Sequence, residues 1–339
     1  MNSLKDKQVR DATAQPFSVQ SFHTPAVENR YLDSFPHLAA LRPHQWTKNL
    51  IVFAAPLFAF SIGWNTFSAA LLAFVLFCSI SSSFYLLNDI ADVQSDRQHP
   101  EKSKRPIAAG LVSVRTAFLM AAVLLIGALG LGWLRSPSLG AILTSYAVLQ
   151  VAYNLKLKRT AILDIVAIAA GFLLRACAGA AATNLPVSPW FLMCTAMLAL
   201  FLGIEKRKAE LRLSKIKSIK PRSVLRHYSL PLLTRMESTV TTGAVMSYAL
   251  WSSGPFLQGA PTPWMMLTLP FVVYGIFRYQ LVSDPQVVMA GSDQPLAKAG
   301  QTERPAAVLL KDFPILCTVS GWVLTCFVIL ALHRAGLIQ

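Results

Sequence analysis

Charged residues are scarce in this chain, making up 14% of its 339 residues against 54% hydrophobic residues. A soluble domain usually has nearer a quarter charged residues. The composition, with a mean hydropathy of +0.49, therefore excludes an ordinary soluble enzyme and indicates a polytopic membrane protein. Acidic residues are scarcest, with 16 Asp and Glu against 31 Lys and Arg. We interpret the basic excess as a mark of membrane topology and of lipid or phosphate binding, not of nucleic-acid binding.

Cysteines, internal repeats and a leader sequence give little information about function in this chain. The five cysteines lie inside apolar stretches without disulfide or metal-ligand spacing, so we interpret them as small core residues. No internal repeat or low-complexity tract is evident. The first forty residues lack an apolar core long enough for a cleavable signal peptide. We expect residues 1–40 to form a cytoplasmic, partly disordered tail and residues 41–339 to form a single transmembrane domain.

Apolar stretches dominate the rest of the chain. A membrane-spanning helix needs about 20 apolar residues, and nine stretches approach or exceed that length, at 46–63, 67–90, 114–134, 138–155, 161–181, 188–204, 236–256, 262–282 and 313–333. The pattern predicts an all-α, polytopic membrane bundle of nine transmembrane helices. Lys and Arg collect in alternate connections, which places the amino terminus and every candidate site residue on the cytoplasmic side of the plasma (inner) membrane.

Three carboxylates, Asp89, Asp92 and Asp96, end the second apolar stretch. On a continuous helix their spacing puts them on one face, within an arc of about 60°. A hard divalent cation would remove their mutual repulsion, and Mg²⁺ held by carboxylates usually also holds substrate phosphates. The alternative is a solvated helix end, which is less favoured because Asn88 and Asp89 lie at the membrane boundary, where ionisable groups are costly. We therefore predict a Mg²⁺–diphosphate site, with Asp89, Asp92 and Asn88 as catalytic candidates.

Polar residues at the cytoplasmic ends of other stretches are candidates for substrate binding. They are Lys102 and Arg105 after the carboxylates, Arg42 and Lys48 at the first stretch, Tyr153 and Lys158 after the fourth, and Lys206 and Glu210 after the sixth. For Arg42 and Lys48, anchoring at the membrane interface is an equally good interpretation. Lys206 and Glu210, four residues apart, could instead form a salt bridge at a helix end.

Asp164 and Arg175 lie inside the fifth stretch. Eleven residues are about three helical turns, so the two side chains share a face, but a rise of about 16 Å prevents them from pairing with each other. Each needs another partner or a polar cavity. Ion pairs with other helices and a substrate-binding cavity both remain open.

These motifs resemble the UbiA superfamily of intramembrane prenyltransferases. The resemblance rests on the Asn-Asp-x-x-Asp-x-x-x-Asp motif from Asn88 and a Tyr-x-x-x-Lys-type segment after the fourth stretch. Segments 42–49, 99–107, 164–179 and 206–210 are similar to the decaprenyl-phosphate phosphoribosyltransferase branch. The resemblance covers roughly residues 40–335. Superfamily members that transfer prenyl groups carry a second Asp-rich motif after the sixth span, where this chain has Lys206, Arg207 and Glu210.

The resemblance implies a glycosyltransferase that moves 5-phosphoribose from phosphoribosyl pyrophosphate (PRPP) to a polyprenyl phosphate. It implies Mg²⁺ on Asp89, Asp92 and Asp96. It also implies phosphate clamping by Lys102, Arg105 and Lys206, and lipid-phosphate binding by Arg42, Lys48 or Lys158. The first alternative is a UbiA-type enzyme that transfers a prenyl group to an aromatic acceptor. The second is a transporter using Asp164 and Arg175, which the absence of an evident repeat disfavours.

Overall fold

The computed structural model describes residues 35–59, 61, 63–99, 102–216, 223–284 and 312–338, and all secondary structure in these ranges is helical. Residues 1–34 of the predicted tail, and most of the connection before the last helix, lie outside the described residues. The α-helices are α1 (Pro36–Ala40), α2 (Ala54–Phe58), α3 (Trp64–Ala91), α4 (Val93–Arg97), α5 (Val114–Arg135), α6 (Pro137–Leu155), α7 (Leu163–Thr183), α8 (Pro189–Ile216), α9 (Leu230–Ser252), α10 (Leu269–Ser283) and α11 (Phe313–Arg334). Short 3₁₀ helices join them at Pro43–Phe53, Lys102–Lys104, Leu157–Arg159, Ser223–His227, Pro255–Leu257 and Pro263–Thr268.

Local sequence explains where several helices begin. The side chains of Ser113, Ser136, Ser229 and Asp312 accept hydrogen bonds from backbone N–H groups in the first turns of α5, α6, α9 and α11. Such caps satisfy donors that have no partner inside the helix. Proline is the first residue after the cap in α6 and the second in α9 and α11, positions where its missing N–H does no harm.

Among the residues that the structure describes, six helical segments are long and apolar enough to cross a membrane: Trp64–Ala91, Val114–Arg135, Leu163–Thr183, Pro189–Ser214, Pro263–Ser283 and Phe313–Arg334. The prediction of an all-α protein is confirmed within the described residues, and six of the nine predicted spans are supported. Two other predicted spans correspond to α6 and α9, which carry polar residues such as Gln150 and Glu237. The first predicted span is instead the 3₁₀ helix Pro43–Phe53 followed by α2.

Helix α7 packs against α3, α6, α8 and the 3₁₀ helix Pro43–Phe53. Its buried residues are mostly Ala and Gly, and small side chains allow helix backbones to approach closely in membrane proteins. The closest approach is at Gly179, where a Cβ atom would lie 1.8 Å from the carbonyl oxygen of Val52. Gly179 therefore sets how the 3₁₀ helix, with Lys48 on it, rests on α7.

We expect Gly179→Ala to lower the free energy of unfolding by about 1–3 kcal/mol, because the added methyl group meets backbone atoms that cannot rotate away. The midpoint of thermal unfolding of the detergent-solubilised protein is the measurement. Gly127→Ala is the matched control, since a Cβ atom at that helical position meets nothing within 4 Å. It should raise the midpoint slightly, as Ala is the better helix former. Equal midpoints for the two variants would contradict the assigned contact.

Candidate active site

The predicted carboxylate motif lies where α3 ends. The helix stops at Ala91, Asp92 takes a non-helical conformation with φ −96° and ψ 4°, and α4 starts at Val93. Asp89 and Asp96 are buried, at 4% and 1% exposure, whereas Asp92 is exposed. The shared face predicted for the three carboxylates is therefore seen for Asp89 and Asp96 but not for Asp92, because the helix breaks between them.

Three cations contact the two buried carboxylates. Arg42 Nη2 donates to Asp89 Oδ1 at 2.5 Å, and Lys102 Nζ lies 3.7 Å from Asp96 Oδ1. Arg105 Nη1 contacts both groups, at 3.1 Å from Asp89 Oδ1 and 2.6 Å from Asp96 Oδ2. The structure thus brings together five of the candidate residues, drawn from segments up to 63 positions apart in the sequence.

The donor set at this position suits a small divalent cation. A single nitrogen, Arg105 Nη1, contacts both carboxylates. The two carboxylates are therefore close enough to bind one positive charge between them. Mg²⁺ is commonly held by one or two carboxylates together with substrate phosphates and water. Within the described ranges, no three His, Cys, Asp or Glu side chains come together as a metal site. The pair therefore fits a cation that is completed by a phosphorylated substrate.

A second group of basic residues faces the same region from other segments. Lys48 has Lys206, Arg175 and Arg42 as its electrostatic neighbours. Arg42 also stacks over the ring of Tyr85, with 5.2 Å from Cζ to the ring centroid. Like charges repel unless anions lie between them. This convergence of cations from the 3₁₀ helix Pro43–Phe53 with its N-cap, α7 and α8 can bind the phosphate groups of an anionic substrate.

Arg175 is buried in the middle of α7 and has neutral partners. Its Nε donates to Asn49 Oδ1 at 2.6 Å, Nη1 to the Gly171 carbonyl at 2.8 Å, and Nη2 to the Tyr146 hydroxyl at 2.7 Å. The guanidinium also lies over the rings of Tyr146, Phe77 and Phe172. These contacts hold a positive charge in place without cancelling it.

Asp164 is paired with groups from other segments. Its side chain is fully buried at the start of α7, with Oδ2 accepting from Arg207 Nε at 2.6 Å and Oδ1 accepting from the Tyr228 hydroxyl at 2.7 Å. Arg207 Nη1 also donates to Glu210 Oε2 at 2.6 Å. The prediction that Asp164 and Arg175 need separate partners is confirmed, and for Asp164 the partner is an ion pair with another helix.

The remaining candidate residues lie around these groups. Asn88 is half-buried one residue before Asp89, and Tyr153 lies near the end of α6. Lys158 is half-buried in the 3₁₀ turn Leu157–Arg159 that follows. Tyr153 is an electrostatic neighbour of Arg207, which places the end of α6 near the carboxyl-terminal half of α8.

Several contributors are absent from the residues predicted to form the site. Arg207 could have been found, because it lies three residues before Glu210 on a helix and side chains at that spacing meet. Asn49, Tyr146 and Tyr228 give no such signal, since each meets its partner over at least 29 positions in sequence.

Known proteins are similar to this chain in sequence and in fold. Residues 49–288 match the UbiA prenyltransferase family. The decaprenyl-phosphate phosphoribosyltransferase of Mycolicibacterium smegmatis is 35% identical, over 84% of this chain and 89% of that protein. The enzyme of the same name from Corynebacterium glutamicum is 34% identical, over 91% and 92%.

The fold is also similar to a solved structure, that of a UbiA homologue from Archaeoglobus fulgidus bound to DMAPP and Mg²⁺. The TM-score is 0.61 at 17% identity, with 87% of this chain and 99% of that chain covered. The family model alone covers more than two thirds of this chain, and the motifs from Asn88 to Glu210 fall within it. The chain is therefore an integral membrane protein that belongs to the UbiA prenyltransferase family.

Proposed function

We propose that this protein transfers 5-phosphoribose from PRPP to a polyprenyl phosphate, with release of pyrophosphate. The observation that carries the proposal is the convergence of Arg42, Lys48, Arg175 and Lys206 on one region next to two buried carboxylates. Two phosphorylated substrates must bind together in this reaction, and both are strongly anionic. The relatives are named decaprenyl-phosphate phosphoribosyltransferase, a name that gives a polyprenyl phosphate and the transfer of a phosphoribosyl group, and they align over most of their length.

Asp89 and Asp96 are the residues proposed to hold Mg²⁺, with exposed Asp92 able to join them through a small movement of the break between α3 and α4. When bound there, Mg²⁺ would neutralise charge on the pyrophosphate group and stabilise it as it leaves. Arg105 contacts both carboxylates, so it must turn toward the phosphates when the cation binds. Lys102 and Lys206 are proposed to bind further phosphate oxygens, while Asn88 orients a ligand or a ribose hydroxyl.

The proposed reaction forms one bond and breaks one. An oxygen of the lipid phosphate attacks the anomeric carbon of the ribose, and the bond from that carbon to pyrophosphate breaks. Negative charge grows on the pyrophosphate and positive charge on the sugar, so basic residues aimed at the leaving group lower the barrier. The acceptor is already an anion, and no strong general base is required. Arg42, Lys48, Tyr153 and Lys158 are proposed to position the lipid phosphate or the donor.

The topology proposed for this reaction has nine spans, with the first helical segment, α6 and α9 added to the six apolar helices. The amino-terminal segment and the site then lie on the cytoplasmic side of the plasma membrane. Residues 41–339 form one transferase domain in this proposal, with residues 1–40 as a cytoplasmic tail. Soluble PRPP would reach the site from the cytoplasm, and the polyprenyl phosphate from the lipid bilayer.

Prenyl transfer from a prenyl diphosphate to an aromatic acceptor is the second candidate. It is favoured by the family and by the DMAPP bound in the similar structure. It is disfavoured by the end of α8, where Lys206, Arg207 and Glu210 stand in place of a second Asp-rich motif. A transporter is a weaker candidate, because Asp164 is fully buried in an ion pair with Arg207.

The test is a transfer assay on membranes that contain the protein, with ribose-labelled PRPP, a polyprenyl phosphate, and either Mg²⁺ or EDTA. Label in the lipid fraction that depends on Mg²⁺ and on the polyprenyl phosphate would support the proposal. A parallel reaction supplies a labelled prenyl diphosphate and an aromatic acid. Label in the aromatic product, with none from PRPP in the lipid, would replace the proposal with prenyl transfer.

We expect Lys206→Met to raise the KM for PRPP about tenfold, because one charge-assisted hydrogen bond to a phosphate is worth roughly 1.5–3 kcal/mol. Initial rates at varied PRPP concentration are the measurement. Arg226→Met is the matched control, since Arg226 is exposed in the 3₁₀ helix Ser223–His227 that follows α8, and the KM of this variant should stay within twofold of the wild type. An unchanged KM in the Lys206 variant would place the phosphates elsewhere.

A further inference from the structure

Ile162, which directly precedes α7, has a backbone conformation unusual for its side chain. Its φ of 70° and ψ of −51° fall in a region that is rare and strained, and a β-branched residue there is an outlier. The same connection carries the basic residues Lys156, Lys158 and Arg159. Strain of this kind persists only where surrounding contacts fix it, so the contacts of Ile162 identify what holds the connection.

Tyr228 is the residue that holds it. The backbone N–H of Ile162 donates to the Tyr228 hydroxyl at 2.6 Å, and that hydroxyl donates to Asp164 Oδ1 at 2.7 Å. Burial, together with the hydrogen bond to Asp164, raises the pKa of Tyr228. The hydroxyl therefore keeps its proton at neutral pH and can act as donor and acceptor at once.

The contacts continue from Asp164 to the end of α8. Asp164 Oδ2 accepts from Arg207 Nε at 2.6 Å, and Arg207 follows Lys206 directly in the chain. The Tyr228 hydroxyl and the Asp164 carboxylate together thus tie the connection that carries Lys158 to the helix that carries Lys206. Because these contacts connect the two segments, they fix the distance between Lys158 and Lys206. Both lysines belong to the proposed phosphate-binding groups.

We propose that Tyr228 is a positioning residue for the transfer reaction: its hydroxyl holds the strained turn at Ile162 and so fixes Lys158 relative to Lys206. The substrate part of this inference rests on the proposed function. Tyr228 itself touches no proposed substrate group. Its effect is expected in the binding of PRPP, through the position of the two lysines, and in the mobility of the connection from Lys156 to Ile162.

The test compares Tyr228→Phe with Tyr248→Phe. Tyr248 is the matched control because its buried hydroxyl also has two partners, Thr268 and Trp322, in a cluster built from α9, α11 and the Pro263–Thr268 3₁₀ helix. Two readouts are taken from each variant. One is the split between KM for PRPP and kcat. The other is the rate at which trypsin cleaves the solubilised protein after Lys156, Lys158 and Arg159, followed by mass spectrometry.

We expect Tyr228→Phe to raise the KM for PRPP about tenfold, to change kcat less than threefold, and to speed cleavage at the three sites at least fivefold. Tyr248→Phe should cause none of these changes, even if it lowers the midpoint of thermal unfolding as much as Tyr228→Phe does. Unchanged KM and unchanged cleavage in the Tyr228 variant, or equal changes in both variants, would overturn the proposal. A third outcome separates the two proposals. If the wild type shows no PRPP-dependent transfer but Tyr228→Phe is still cleaved faster, the contact of Tyr228 with the turn is supported and PRPP is rejected as the substrate.

Discussion

Replacing Asp89 with Asn is expected to lower kcat/KM by at least about 1,000-fold, which corresponds to roughly 4 kcal/mol of transition-state stabilisation. The Asp89 carboxylate is buried and contacts both Arg42 and Arg105. An amide of the same size cannot neutralise the two guanidinium groups, and it is a much poorer ligand for a divalent cation. The transfer assay with labelled PRPP measures the loss directly, with membrane content of the variant checked by immunoblot.

The control for this variant is Asp312→Asn, which also removes a carboxylate from an ion pair. Asp312 pairs with Arg278 through two hydrogen bonds of 3.2 and 3.0 Å, and it caps α11. The nearby guanidinium holds the pKa of Asp312 below its usual value, but no candidate site residue touches it. The transfer activity of the Asp312→Asn variant should stay within twofold of the wild type. Turnover within tenfold of the wild type in the Asp89 variant would take this carboxylate out of the reaction.

The sequence located the carboxylate motif but not its geometry. Spacing of three and four residues predicts a shared face only if the helix is continuous, and the helix breaks at Asp92. No Gly or Pro lies between Asn88 and Gln98 to signal a break. The partners of Asp89 and Asp96 are decided by tertiary packing, since Arg42 reaches Asp89 from 47 positions away.

The first predicted span differs from the structure for a related reason. Hydropathy alone favours a membrane-crossing helix over 46–63, but the chain forms a 3₁₀ helix at Pro43–Phe53 and a short α2. A 3₁₀ helix of this length is uncommon and often marks a functional element. What fixes it is the contact of its backbone with α7 at Gly179 and the hydrogen bond from Arg175 to Asn49. Neither contact leaves a trace in local sequence.

Helical geometry alone correctly excluded a direct contact between Asp164 and Arg175. Eleven residues of rise separate Asp164 from Arg175 on α7, so a direct ion pair was ruled out. The structure gives each side chain a different set of partners, which come from α6, α8, the 3₁₀ helix Pro43–Phe53 and the connection before α9. The sequence therefore predicted the need for partners, while their identity required the packing of the whole bundle.

Asp164→Asn is expected to lower the free energy of unfolding by about 3–5 kcal/mol, because it leaves the Arg207 guanidinium buried with one carboxylate fewer. Both side chains are almost completely inaccessible, at 0% and 1% exposure. The double variant Asp164→Leu with Arg207→Met should recover much of that loss, since well-packed apolar residues can replace a buried ion pair.

Unfolding of the purified protein in detergent, by temperature and by denaturant, measures this prediction. Asp312→Asn again serves as the control, because Asp312 and Arg278 are partly exposed and such pairs contribute about 1 kcal/mol or less. If Asp164 only stabilises the fold, the Asp164→Asn variant should lose PRPP binding only in proportion to the fraction of protein that is unfolded. We expect this result, which would distinguish Asp164 from the substrate-binding residues. Wild-type stability in Asp164→Asn together with lost PRPP binding would instead favour a substrate-binding cavity at Asp164.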